Sequence, residues 1–213
     1  MTEILYFSEL LLLSFLLSSF MLPFRPRVVS LILGGSVVST AAIISENFIL
    51  GCTSDVFLLL IAAPVIEESL KLVLTVYGKQ VRNAIGVGLG FAIVENAFYL
   101  AAVLSVYSIN VAIPFIIARA IGDPLLHSSA ASISVRSWSG SKLALPKAIG
   151  LHFLYNLWAV VIASEPALLK FEPVVISLLF ALICFESGQM GRLMKSAEVK
   201  IKRKVNYEIK GQS

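Results

Sequence analysis

The chain has 213 residues, 58% of them hydrophobic and only 14% charged, with a mean hydropathy of +0.90. Soluble domains are roughly half apolar and a quarter charged, so this balance excludes an ordinary soluble protein and indicates an integral membrane protein. The net charge of +4 does not indicate a nucleic-acid partner, because the excess sits mostly after Met190, in Arg192, Lys195, Lys200, Lys202, Arg203, Lys204 and Lys210.

Apolar runs near the ~20 residues needed to cross a bilayer predict seven helices. In chain order these are Ile4 to Leu22, Val28 to Ser45, Val56 to Tyr77, Ala84 to Val106, Val111 to Val135, Pro146 to Ala163 and Val174 to Met190. Glu3 and Glu9 precede or enter the first run, which lacks the basic start and small-residue cleavage site of a secretory signal, so it is expected to be a mature helix. The connectors alternate: Arg25 and Arg27, Glu46 and Asp55, Lys79 and Arg82, an uncharged turn, Arg136 with Lys142 and Lys147, then Glu165, Lys170 and Glu172. The positive-inside rule therefore predicts an outside N-terminus and a cytoplasmic C-terminus.

The expected fold class is all-α, a polytopic membrane bundle. Residues 1–191 form one transmembrane domain and 192–213 a basic tail facing lipid. Cys52 and Cys184 match neither a disulfide framework nor a metal-binding pair. Gly86, Gly88 and Gly90 lie within an apolar helix and not after a strand, so they, like Gly34, Gly35 and Ser36, are expected to let helices pack closely.

Ionisable side chains inside a membrane helix cost about 2.5 to 3.5 kcal/mol each on insertion scales, so they are commonly paired and functional. The third span carries Glu67, Glu68 and Lys71; the fourth Glu95 and Asn96; the fifth Arg119, Asp123 and His127; the sixth His152 and Asn156. Glu67 and Lys71 are four residues apart and should share a face, whereas Glu68 points about 100° away and should meet a different neighbour. Arg119, Asp123 and His127 follow at i, i+4 and i+8 as one polar stripe. Four polar faces are expected to converge on a wet cavity reaching from mid-membrane toward the cytoplasm. A structural role, with ion pairs merely holding helices together, is the competing explanation, and it accounts best for Arg119 with Asp123.

These residues resemble the PrsW family of intramembrane proteases, distant relatives of the CAAX-processing and bacteriocin-processing superfamily. The matching pieces are E67-E68-S-L-K71, F91-A-I-V-E95-N96-A-F-Y99, R119 followed by H127, and H152-F-L-Y-N156. The wider superfamily has histidine where Glu95 stands, and an arginine one residue beyond Lys71.

Such a cluster can hydrolyse an amide: a buried glutamate helped by histidine deprotonates water, which attacks the scissile carbonyl. The candidate catalytic residues are Glu67, Glu68, Glu95, His127, His152 and Asn156, supported by Lys71, Asn96, Arg119 and Asp123. The resemblance implies His152 and Asn156 as the oxyanion donors. Either Glu67 or Glu68 could be the base. This mechanism needs no cofactor; a zinc-dependent alternative would use Glu67, Glu95, His127 and His152 as ligands. Two other functions compete: a proton- or ion-coupled transporter using Glu67, Glu95, Asp123 and His127 as a relay, and a binding scaffold without turnover. The expected partners are the bilayer and a membrane-bound protein substrate, for which the resemblance implies a regulator of the anti-sigma-factor kind. The expected location is a prokaryotic plasma membrane.

Overall fold

The computed structural model describes residues 26–50, 55–76, 80–106, 109–172, 174–179, 181–183 and 185. The first predicted span and the basic tail lie outside these residues, as do Cys52 and Cys184. Five helices carry the architecture: α1 (Pro26–Leu50), α2 (Ala63–Thr75), α3 (Val81–Val106), α4 (Ile109–Ser134) and α5 (Ala144–Ser164). The described residues contain no strand. Helices α1 and α3 pack along each other, α3 packs along α4, and α4 packs along α5; α2 crosses between α1 and α5.

Most helix ends fall within a few residues of the expected spans, but α1 runs five residues past Ser45. No Gly or Pro interrupts Glu46-Asn47-Phe48-Ile49-Leu50, and Gly51 is the first residue able to stop it. Glu46 thereby sits on a helix and not in a connector. The expected third span is not one regular helix either. A short turn, Asp55–Phe57, leads into a π-helical turn, Leu58–Ala62, before α2 begins. Pro64 at the start of α2 has no N–H to give, which is tolerated only in a first turn.

Glycines set how closely the helices approach. A Cβ on Gly90 would run into the Ile32 carbonyl of α1, and one on Gly88 into the backbone of His127 on α4. The Ser36 hydroxyl donates to the Gly90 carbonyl at 3.0 Å, fastening the first of these contacts. The main apolar core includes Ile85, Leu89, Leu125, Leu126, Val135, Tyr155 and Leu179. Outward positions are apolar as well: Leu33, Val37, Ile44, Phe48, Leu154 and Leu178 are all exposed. A water-soluble bundle would not leave such a surface bare. Among the described residues, Val29–Ile49, Asn83–Ser105 and Ala144–Ile162 are long and apolar enough to cross a membrane.

Candidate metal centre

All five helices deliver a charged or polar side chain to one buried cluster. Glu67, Glu68 and Lys71 come from α2, His127 and Asp123 from α4, and His152 from α5; each is at least 95% buried. Glu95 on α3 and Arg119 on α4 lie at its edge, with 23% and 16% of their side chains exposed. Glu46 on α1 lies near enough to Glu67 and Glu95 to interact with both electrostatically.

Lys71 stands at the centre. Its Nζ donates to Glu68 Oε1 at 2.5 Å, contacts His127 Nδ1 at 2.7 Å, and lies 3.7 Å from Glu67 Oε2. An ammonium can only donate, so His127 Nδ1 must be the acceptor and the ring proton must sit on Nε2. That nitrogen faces Glu95 Oε2 at 2.6 Å. Glu95 is fixed in turn by Arg119, whose Nη2 meets its Oε1 at 2.6 Å. Arg119 also pairs with Asp123, contacts Asn96 Oδ1 at 3.4 Å and lies 4.1 Å above the Tyr99 ring. Tyr155 of α5 is buried close to Asp123.

The second imidazole, His152, brings Nδ1 to 2.9 Å from Glu68 Oε1 and 3.8 Å from Glu67 Oε2. The two rings meet edge to face with centroids 5.1 Å apart, and Phe91 packs beside His127 at 5.0 Å. Glu67 and Glu68 therefore share both Lys71 and His152 as neighbours, which corrects the expectation that helical spacing would send them to different ones. The long lysine stem reaches back over its own helix and spans the angle between them.

Asn156 does not join its neighbour His152 at the carboxylates. In the π-helical turn the Ala63 N–H bonds Leu58 O instead of Leu59 O. The Leu59 carbonyl is freed, and Asn156 Nδ2 donates to it at 2.8 Å. The amide thereby secures the turn that leads into α2.

The cluster is closed at the helix ends beside the basic connectors and partly exposed toward the other ends. Residues 83–92 of α3 and 122–135 of α4, next to the basic connectors, are buried throughout. Trp138 closes that end by donating to Leu72 O at 3.3 Å and Thr75 Oγ1 at 3.2 Å. The partly open edge is at Glu46, Glu95, Asn96, Tyr99 and Arg119, toward the other ends of these helices.

The donor chemistry suits a metal ion. Glu67, Glu68, His127 and His152 can each present a ligand atom with all four atoms within 4.8 Å of one another. Glu67 Oε2 and Glu68 Oε2 are buried without a hydrogen-bond partner, each able to meet an ion or a metal-bound water. Two imidazoles with carboxylates are a set that zinc accepts. Glu95, in the zinc set expected from the sequence, belongs to a second group with Asp123 and His127. It faces the far nitrogen of His127, the position of a carboxylate that orients a metal-binding histidine.

The pattern of the PrsW family intramembrane metalloproteases matches residues 22–185. This chain belongs to the PrsW family. The match takes in every helix that builds the cluster, while most of the first predicted span and the whole basic tail lie beyond it. No curated protein and no solved structure matches the chain. The PrsW description, together with the donor set, moves the weight from the metal-free mechanism expected first to the metal-dependent one. Sequence reasoning missed Glu46 because it lay just past an apolar run and was read as a connector charge; a lone acid between Ala41 and Leu50 was the available signal. Tyr155 and the Leu59 carbonyl left no signal in side-chain spacing.

Proposed function

We propose that this PrsW protein hydrolyses a peptide bond of a membrane-bound protein in a metal-dependent reaction. The observation that carries the mechanism is the state of the two adjacent glutamates: both have an unpartnered Oε2, but Glu68 is fixed through Oε1 by Lys71 and His152, whereas the Lys71, His127 and His152 nitrogens stand 3.7 to 3.8 Å from Glu67 Oε2 and make no hydrogen bond to it. A carboxylate that is close to the reacting position yet not saturated is the better proton acceptor. Glu67 takes the proton of the attacking water and returns it to the leaving amine. Glu68, His127 and His152 are the residues that would hold the metal, which when bound polarises the carbonyl and makes water a nucleophile at neutral pH. Glu95 keeps His127 in the tautomer that leaves Nδ1 as the lone-pair nitrogen, and Arg119 keeps Glu95 in place.

The topology that goes with this reading has seven spans, an outside N-terminus and a cytoplasmic tail, in a prokaryotic plasma membrane. The edge at Glu46, Glu95 and Arg119 then faces the extracytoplasmic half, where a membrane-tethered regulator of the anti-sigma-factor kind could present its juxtamembrane segment. Family membership favours proteolysis over an ion-coupled transporter or a silent scaffold. The test is incubation of the reconstituted protein with single-pass membrane proteins and mass spectrometry of the products. Cleavage should vanish with a chelator, return with zinc, and be absent in Glu67→Gln. Cleavage that survives both chelation and Glu67→Gln overturns the mechanism. Cysteine accessibility placing the Lys79 and Arg82 connector outside overturns the topology.

A further inference from the structure

The four metal-suited residues surround a cation already, and it belongs to the chain. Lys71 Nζ contacts Glu68 Oε1 and His127 Nδ1 and lies 3.7 Å from Glu67 Oε2, so it touches or approaches three of the four groups. Its side chain is fully buried, with the Phe91 ring 4.4 Å from the ammonium on one side. We propose that Lys71 is an internal counter-cation that occupies the metal position, and that its ammonium must leave His127 and Glu68 before a metal can bind. The inference rests on the metal-dependent reading above.

Two arguments carry it. The first is lone pairs. Neutral imidazole has one acceptor nitrogen, and with Nε2–H facing Glu95 that nitrogen is Nδ1, which the ammonium uses. The same lone pair cannot serve a proton donor and a metal together. The second is charge. Glu67 and Glu68 with two neutral imidazoles carry two negative charges, which a divalent cation cancels. An ammonium held in contact with the same ligand atoms would meet the metal's positive charge at short range, a strongly unfavourable state in a fully buried site. Metal and ammonium thus exclude one another, and Lys71 sets how tightly the site binds a metal. Without metal, the same lysine keeps two buried carboxylates from facing each other uncompensated.

The test uses full-length protein in detergent and zinc alone as the probe, with affinity read by competition against a chromophoric chelator. Lys71→Met, which keeps the stem and removes the charge, should bind zinc at least about tenfold more tightly than wild type. Lys71→Arg, always charged, should bind it more weakly. His152→Ala reports whether the zinc is in this site, since its loss should weaken binding in both backgrounds. Equal or weaker binding by Lys71→Met, with wild-type zinc still sensitive to His152→Ala, overturns the counter-cation while leaving the metal reading intact. Zinc binding by none of the proteins overturns the metal reading and the counter-cation with it. Should Lys71→Met fail to fold, a zinc-loaded wild-type structure decides: Nζ beyond about 3.5 Å from His127 Nδ1 supports the proposal, and a retained contact beside bound zinc overturns it.

Discussion

The Asn156 amide donates to the Leu59 carbonyl at 2.8 Å, joining residues 97 positions apart. The contact exists because the backbone beside Pro64 forms a π-helical turn and releases that carbonyl from its usual partner. Asn156→Ala leaves a buried carbonyl unpaired, which costs about 1 to 3 kcal/mol. For a chain of this size that lowers the unfolding midpoint by roughly 2 to 12 °C. Turnover should fall as well, since the turn leads directly into α2 and its two glutamates. An unfolding midpoint equal to wild type would remove Asn156 from this role.

Glu67 and Glu68 should separate chemistry from stability. Glu67→Gln keeps the size of a side chain that bears no strong hydrogen bond at Oε2, so the protein should fold normally and lose about 100- to 10,000-fold in turnover. Glu68→Ala removes the 2.5 Å partner of a fully buried lysine, and breaking a buried pair costs about 3 to 5 kcal/mol. Thermal unfolding in detergent alongside peptide-bond cleavage measures both. The reverse pattern, with Glu67→Gln unstable and Glu68→Ala merely inactive, would exchange the two roles.

The membrane character, the helices among the described residues and most of the cluster were legible in the sequence, because polar residues inside apolar runs have few reasons to be there. Arg119, Asp123 and His127 form the stripe that their spacing requires, and all three meet the cluster. Two things were not legible. Helical angles put Glu67 and Glu68 on different faces, but a lysine with four methylenes reaches both, and side-chain reach is invisible to an angle count. The backbone acceptor at Leu59 depends on one changed hydrogen bond near Pro64, so the partner of Asn156 could not be read from residue types. Glu46 is hidden for a simpler reason: the apolar run ends at Ser45, whereas the helix continues to Leu50.

Arg119 tests the outer support of His127. Its guanidinium reaches Glu95, Asp123 and Asn96 and stacks on Tyr99, a set of directions that one planar group can serve and an ammonium cannot. Arg119→Lys should lower turnover or zinc affinity about 10- to 100-fold, the usual effect of disturbing the groups behind a ligand. Wild-type values for both would show that Glu95 holds His127 unaided.

Glu46 should matter although it stands on a helix with no other member of the cluster. Its carboxyl lies beside Glu67, so Glu46→Ala should lower kcat about tenfold with little change in KM. Glu46→Gln, which keeps the size and can donate to Glu67, should recover much of the loss. Equal activity of Glu46→Ala and wild type would return Glu46 to a solvated helix end.

Gly88 connects packing to chemistry. Any Cβ there would overlap the backbone carbonyl of His127, a position that a flexible side chain cannot vacate. Gly88→Ala therefore has to push α3 and α4 apart, and the displacement falls on the residue whose Nδ1 and Nε2 are both engaged, at 2.7 Å and 2.6 Å. In an ordinary helix this substitution would stabilise by about 0.5 to 1 kcal/mol. Here overpacking should outweigh that gain and destabilise by about 1 to 3 kcal/mol. Zinc affinity should fall in parallel, because a shift of the His127 backbone moves the imidazole away from Glu68 and His152. Gly150, where a Cβ would meet nothing within 4 Å, is the matched control. Gly150→Ala should leave unfolding and zinc binding unharmed, and a Gly88→Ala protein that behaves like it would mean that α3 and α4 do not approach as closely as this packing requires.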